Sequence, residues 1–207
     1  MRRTLGPSWA GVVGLTLVAA LVSIAAPDTG TAARSVESLL QSASAHYRAG
    51  RLEAAIGDLE SAIALEPSNP QARFMLANAR LRGGEYRRAA EEYRATLGLE
   101  PEQSDAQLNL GFALHRLGDT TSAVEAWRRA VERARRDPLA RVALALGELR
   151  NGDEDAALLH YSIAIVLEPE TETRDYYRRD FRWRPQDVDA LEGLSRRLAA
   201  ERTESPR

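Results

Sequence analysis

The chain has 207 residues, 44% hydrophobic and 28% charged, the balance of a folded protein of one or two domains rather than of a disordered one. A formal charge of -2 offers no basic excess to a polyanion, so nucleic acid is not an expected partner. The absence of cysteine removes disulfides, thiolate catalysis and sulfur-ligated metals together, and all 28 Lys/Arg cations are arginine.

In chain order, Arg2 and Arg3 precede an uncharged run from Trp9 to Ala26, after which polar and turn-forming residues such as Asp28 and Gly30 begin. A charged start, an apolar middle and small residues beyond it make the pattern of an export signal, oriented with its arginines in the cytoplasm and the rest of the chain outside. The run of 18 residues spans roughly 27 Å at about 1.5 Å each, just short of a hydrocarbon layer of roughly 30 Å. Residues 1–33 are therefore expected to be either a cleaved signal, cut after Ala25 or after Ala33, or an uncleaved membrane anchor. Without a cysteine, a lipid-modified anchor is excluded. Either outcome places the folded part in the periplasm or on the outer face of the cytoplasmic membrane.

Beyond the leader the chain repeats itself. GRLEAAIGDLESAIALEP at residues 50–67 returns as GEYRRAAEEYRATLGLEP and GDEDAALLHYSIAIVLEP, with GDTTSAVEAWRRAVERAR between them. The starts fall at Val36, Pro70, Ser104 and Pro138, a period of 34 without insertion. Small residues recur at the eighth position (Ala43, Ala77, Gly111, Ala145), the twentieth (Ala55, Ala89, Ala123, Ala157) and the twenty-seventh (Ala62, Thr96, Ala130, Ala164). These are places where two helices approach closely, because a larger side chain holds backbones apart. Leu59, Tyr93, Trp127 and Tyr161 supply bulk at the twenty-fourth position. Gly50, Gly84, Gly118 and Gly152 stand where a first helix stops and the chain reverses, and Pro67, Pro101 and Pro169 end the second helix. Each unit reads as helix, turn, helix, short loop.

This pattern resembles the tetratricopeptide repeat family, of which the chain looks like an exported or membrane-anchored bacterial member. The resemblance covers four units, residues 36–69, 70–103, 104–137 and 138–171. It implies an all-α fold, a right-handed α-α superhelix of four helix-turn-helix repeats with a concave face and a C-terminal capping helix. Two departures stand out. The aromatic common at the fourth position is replaced by Leu39, Arg73, Gln107 and Arg141, and the third unit carries Arg133 and Arg135 where the others have leucine and proline.

The resemblance also implies that the first helix of each unit lines the concave groove. On that basis Leu40, Tyr47, Phe74, Asn78, Leu81, Leu108, Phe112, His115 and Leu146 are the expected partner-binding residues. The apolar, aromatic centre suits an extended peptide or a helix with hydrophobic anchors. The fourth unit's Leu139, Val142, Leu146 and Leu149 either belong to this surface or are covered by the C-terminal helix. Some family members grip a partner's C-terminal carboxylate with asparagines and cations. Asn78 and Asn109 match the asparagines, but Leu139 and Ala143 stand at the cation positions, so that mode is not expected. Arg48, Arg82, Arg116 and Arg150 form a ladder at the thirteenth position that either contacts an acidic partner or favours the helix dipole.

The remaining chain, residues 172–207, begins with TRDYYRRDFRWR at 173–184, five arginines and four aromatics in twelve residues. It reads as a structural capping segment or as a surface for a partner or membrane. Val188, Leu191, Leu194 and Leu198 then share a stripe of a helix over 187–202, with Asp187 available as its N-cap and a disordered tail beyond. Catalysis and metal binding are not expected: His46, His115 and His160 lie in different units without ligand spacing, and Asp153, Glu154 and Asp155 open a helix, where negative charge is favourable anyway. The expectation is a cofactor-free, non-enzymatic scaffold for a protein partner of the cell envelope, tethered to the membrane if the leader is retained. The alternative is a periplasmic holdase.

Overall fold

The computed structural model describes residues 29–178, 180 and 182–204. The apolar run of the leader and the tail beyond Glu204 lie outside the described residues. The second cleavage position, after Ala33, falls within the first helix.

Four antiparallel helix pairs follow one another: α1 (Thr29–Arg48) with α2 (Leu52–Leu65), α3 (Pro70–Arg82) with α4 (Tyr86–Leu99), α5 (Ser104–Arg116) with α6 (Thr120–Arg133), and α7 (Pro138–Arg150) with α8 (Glu154–Leu167). A single 3-10 turn, Pro169–Glu172, then leads to α9 (Arg174–Arg178) and α10 (Pro185–Glu204). Each second helix packs on the first helix of the next unit. Successive first helices also touch one another, as the second helices do not to that extent, so the first helices line the inner side of the curve. The expected helical solenoid of four units is the fold observed.

The local signals act as their chemistry requires. Asn69 and Asp137 cap α3 and α7 by accepting from the backbone N–H groups of Ala72 (2.9 Å) and of Leu139 and Ala140 (2.8 and 3.2 Å), with a proline in the first turn of each helix. All four first helices end alike. The repeating glycine takes a left-handed φ of +74° to +84°, and the next residue's N–H reaches back five residues, as from Arg51 to His46 O and from Asp153 to Glu148 O, both at 2.9 Å. This is the Schellman closure, and it explains why glycine recurs there.

Two of the four replacements at the fourth position have a structural reason. The Arg73 Nε donates to the carbonyl of Pro67 (3.0 Å), and Arg141 donates to that of Arg135 through Nε (3.0 Å) and Nη2 (2.7 Å). A guanidinium thus ties the fourth position of one unit to the thirty-second of the unit before it. The third-to-fourth junction keeps its geometry without proline: Ala134 N–H closes α6 on Ala130 O (2.8 Å), as Glu66 closes α2 on Ala62 O (2.9 Å).

One large apolar cluster runs from Ala77 in the second unit through the third and fourth to Leu198 in α10, while the first unit packs through two smaller clusters around Leu59 and Val36. The eighth-position residues that face the partner helix are fully buried, and the ring of Trp127 lies so close to Gly111 that a Cβ there overlaps the indole. Val188, Leu191, Leu194 and Leu198 are buried as one stripe of α10, closing the array against α7 and α8. The helix begins earlier than the sequence suggests, at Pro185. Asp187 is therefore not its N-cap but sits in its first turn, where Oδ2 accepts from the backbone N–H of Arg184 (3.1 Å).

Two glycine substitutions separate packing from propensity. Gly111→Ala is expected to destabilise the chain by about 1–3 kcal/mol through overpacking against Trp127. Gly57→Ala, in a helix with no atom within 4 Å of an added Cβ, is expected to stabilise it by up to about 1 kcal/mol. Thermal or denaturant melts check both signs.

Candidate functional site

The concave surface divides into two unlike halves. In the N-terminal half, the first helices of units one and two leave a run of adjoining cavities. The outermost, about 610 Å3, is bounded by Glu37, Leu40, Gln41, Ser44, Gln71 and Met75. An apolar hollow of about 260 Å3 follows between Ala43, Tyr47, Leu59 and Met75. A third cavity, about 480 Å3, lies between Tyr47, Asn78, Leu81 and Asn109 on one side and Leu139, Tyr176, Asp180 and Arg182 on the other. Of the expected groove residues, Leu40, Tyr47, Phe74 and Asn78 are half-buried, whereas Leu81 is buried in the floor.

Asn78 and Asn109 meet at the centre. Asn78 Oδ1 accepts from the Tyr93 hydroxyl (2.6 Å) and from Asn109 Nδ2 (2.9 Å), while Asn109 Oδ1 accepts from Arg182 Nη1 (2.9 Å). Burial raises the Tyr93 hydroxyl well above its ordinary pKa, so it stays protonated as that donor. Phe74 stands edge-on to the Tyr93 ring, with centroids 6.0 Å apart.

The C-terminal half is filled by the chain itself. Leu108, Phe112, His115 and Leu146, expected on an open surface, are all buried. Val142 and Leu146 are buried and half-buried Leu149 packs against the same core, whereas Leu139 lines the third cavity. Trp183 places its ring edge-on to Phe112 (4.9 Å) and to Tyr177 (5.2 Å), and the Arg182 guanidinium lies 5.0 Å from the Phe112 centroid. The arginine-rich segment is therefore chiefly structural in its described part. Arg182 is also paired with Asp180, its Nε lying 2.9 and 2.8 Å from the two carboxylate oxygens.

Asp187 fixes the end of this segment. Its carboxylate, wholly shielded from solvent, lies 3.0 Å from His115 Nε2, 3.0 Å from Arg184 Nε and 3.4 Å from Arg150 Nη2. Burial alone would raise the carboxyl pKa, but hydrogen bonds from His115 and Arg184 outweigh it and hold Asp187 well below the usual carboxylate range. No local signal in the sequence joins Asp187 to His115, which are far apart along the chain.

The arginine ladder is largely built into the array. Arg82 donates to Tyr47 O (2.9 Å) and stacks over the Tyr47 ring (5.0 Å), and Arg116 bonds the Tyr86 hydroxyl above that ring (4.4 Å). Arg150 donates to Gln186 O (3.1 Å) as well as meeting Asp187, and Arg48 is exposed, with Nε 3.4 Å from Ser44 O. Several other titratable groups have structural partners too. Asp153 caps α8, Glu154 pairs with Arg197, and Arg51 Nε donates to His46 Nδ1 (2.9 Å). Burial, with Arg141 nearby, lowers the His160 pKa. Among the described residues no three His, Asp or Glu converge in a way that would hold a metal ion, and no helix is long and apolar enough to cross a membrane.

Stacked helix pairs of fixed length, closed by glycine and joined at small residues, with cavities along the concave face, define a helical repeat array of the kind that binds peptides. The tetratricopeptide repeat model matches residues 40–86, 74–127 and 113–170, more than half of the chain, and the chain belongs to that family. No curated protein sequence matches it. Among solved structures it is similar to MamA from Desulfovibrio magneticus, with 21% identity over 67% of this chain and 78% of that one, at a TM-score of 0.62. It is also similar to the first repeat domain of Spaghetti (RPAP3) bound to the HSP90 peptide SRMEEVD, with 18% identity over 57% of this chain and 94% of that one and a TM-score of 0.56. The Arabidopsis OM64 domain matches at 19% identity over 57% of this chain and 98% of that one, also at 0.56.

Replacing Asp187 by alanine strands the charges of Arg184 and Arg150 beside His115, and is expected to cost about 3 kcal/mol or more at neutral pH. Because the folded carboxyl pKa is depressed, its contribution is fully present above the unfolded value of about 4 and is lost as pH falls below it. The gap between natural chain and variant should therefore narrow in acid, as denaturant melts at several pH values will show.

Proposed function

We propose that this array is a non-enzymatic interaction scaffold that acts outside the cytoplasmic membrane and holds a peptide or helix of one envelope protein in the open half of its groove. The observation that carries this reading is the run of cavities from Leu40 through Tyr47 to Asn109, an apolar hollow flanked on both sides by cavities of mixed polar and apolar lining. Such a lining suits an apolar anchor with backbone hydrogen bonds beside it. The HSP90 peptide bound by the RPAP3 repeat domain illustrates what the fold can do. A carboxylate-ended ligand held by cations is a poorer fit here, because Leu139 lines the cavity and Ala143 is buried. The non-enzymatic reading draws support from the structural engagement of Asp153, Glu154, Asp187, His46 and His115. The half-filled groove favours one defined segment over the varied clients of a holdase, which need a long continuous apolar surface. Export rests on the leader sequence over residues 1–33, as a signal or an anchor.

A photo-crosslinking residue at Ser44, in the producing cell, is expected to capture one dominant envelope protein. Tyr47→Glu should weaken that protein's binding by about tenfold or more, the loss associated with one hot-spot side chain. Capture of many unrelated proteins would turn the reading to a holdase, and capture of none would remove it. Mass spectrometry of the mature N-terminus, with fractionation of the cell, checks export: a chain beginning at Met1 in the cytosolic fraction would overturn it.

A further inference from the structure

The ninth groove position is open at Ser44 and Asn78 in the first two units and buried at Phe112 and Leu146 in the last two, and a piece of the same chain lies over Phe112. Phe112 stands at the repeat position of Ser44 and Asn78, and His115 at that of Tyr47. Ser44, Asn78 and Tyr47 border cavities, whereas Phe112 and His115 lie beneath Trp183 and Asp187. We infer that the turn carrying Asp180, Arg182 and Trp183 is an internal competitor seated in the partner groove, and that the covered half accepts in its place a peptide carrying a tryptophan flanked by arginines. The inference rests on the groove being a partner site and adds what regulates it and which chemistry enters.

The seated segment shows what the floor accepts. The Phe112 ring receives an aromatic edge at 4.9 Å and a guanidinium at 5.0 Å. Asn109 accepts one hydrogen bond from that guanidinium. A ligand with the same order of groups meets the same surface.

The fit is also incomplete at the contact itself. The indole Nε1 of Trp183 and the Nδ1 of His115 are both buried without a hydrogen-bond partner, although the two side chains are only 7% and 2% exposed. A buried donor or acceptor left unsatisfied weakens the contact. A peptide in a slightly different register that satisfies either atom therefore has an advantage over the internal segment. The segment's attachments divide accordingly. Arg182 is paired chiefly within the segment, to Asp180, and to the groove by the single bond to Asn109 and the stacking on Phe112. Asp187, by contrast, is fixed by three groups and serves as the post from which the segment is held. The three groups around Asp187 and the buried stripe of α10 do not include Asp180, Arg182 or Trp183.

The test uses the full chain and a fluorescein-labelled peptide of the sequence of residues 180–185, Asp-Phe-Arg-Trp-Arg-Pro, read by anisotropy. A tethered competitor lowers the apparent affinity of a free ligand, so Trp183→Ala in the chain should tighten peptide binding by about tenfold or more. A peptide with its tryptophan replaced by alanine should bind neither chain. Arg182→Ala, which loosens the segment and leaves Trp183 and the groove floor untouched, should tighten binding by a smaller factor, and it decides the matter if Trp183→Ala does not fold. Equal affinity of the natural chain and a folded variant, or binding indifferent to the peptide's tryptophan, overturns the inference. Capture at Ser44 reads the two outer cavities, whereas this peptide reads the covered half around Phe112. Failure here therefore leaves the open-half reading standing, and failure of capture at Ser44 leaves this result readable.

Discussion

The structure depends on how near two helix backbones can come. Trp127 occupies the space between units three and four, where a Cβ at Gly111 would overlap the indole and one at Gly147 would lie 2.5 Å from Val124 Cγ2 and 3.1 Å from the indole. The indole N–H is satisfied by Leu108 O (3.1 Å), and the ring stands edge-on to Phe112 (5.5 Å). A large ring from the second helix is thus matched to missing side chains on the first helices of its own and the next unit. Close packing of this kind leaves little freedom in the angle between units, and that angle sets the curve on whose inner side the groove lies.

Arginine supplies the second layer of order. Arg73 and Arg141 reach back to loop carbonyls of the preceding unit, and Arg82, Arg116 and Arg150 reach neighbouring elements at the other end of the first helices. Arg80, only 12% exposed, lies between Glu60 of one unit and Glu92 of the next. Each of these links uses a planar, multi-donor head on a long stem, which spans an inter-unit gap while its apolar stem packs on the helices beneath. Exposed ion pairs contribute little individually, but these links join adjacent units, so they act on the stacking rather than on any one helix. The cations that look in sequence like a ladder for an acidic ligand are for the most part spent in this way.

The consequence for binding is an array with graded occupancy. Units one and two present cavities, and the core of unit one is divided into two small clusters. Units three and four share one continuous core with α10 and have their inner face covered. Between the halves, Asn78 and Asn109 form a polar centre that touches the open cavity on one side and Arg182 on the other. A partner entering from the open end thus reaches, at its inner limit, the same asparagine that holds the chain's own segment. The two halves of the groove are adjacent and share a boundary residue.

The sequence by itself determined the units, their length, the helix ends and the buried faces. Those features follow from interactions within a few residues: a glycine with positive φ, a proline without a donor, a capping Asn or Asp, and small residues repeated at a spacing that marks one helix face. The apolar stripe of α10 was legible for the same reason. What only the tertiary structure decided is which part of the concave face is open. The burial of Phe112 by Trp183 and the union of His115 with Asp187 join residues far apart in the chain through a segment whose composition fits a free surface as well as a packed one. Local patterning has no term for such a contact, because its energy exists only once the units have stacked and brought the C-terminal segment back across them. The same stacking turned the arginine at the fourth position from a departure into a link between units.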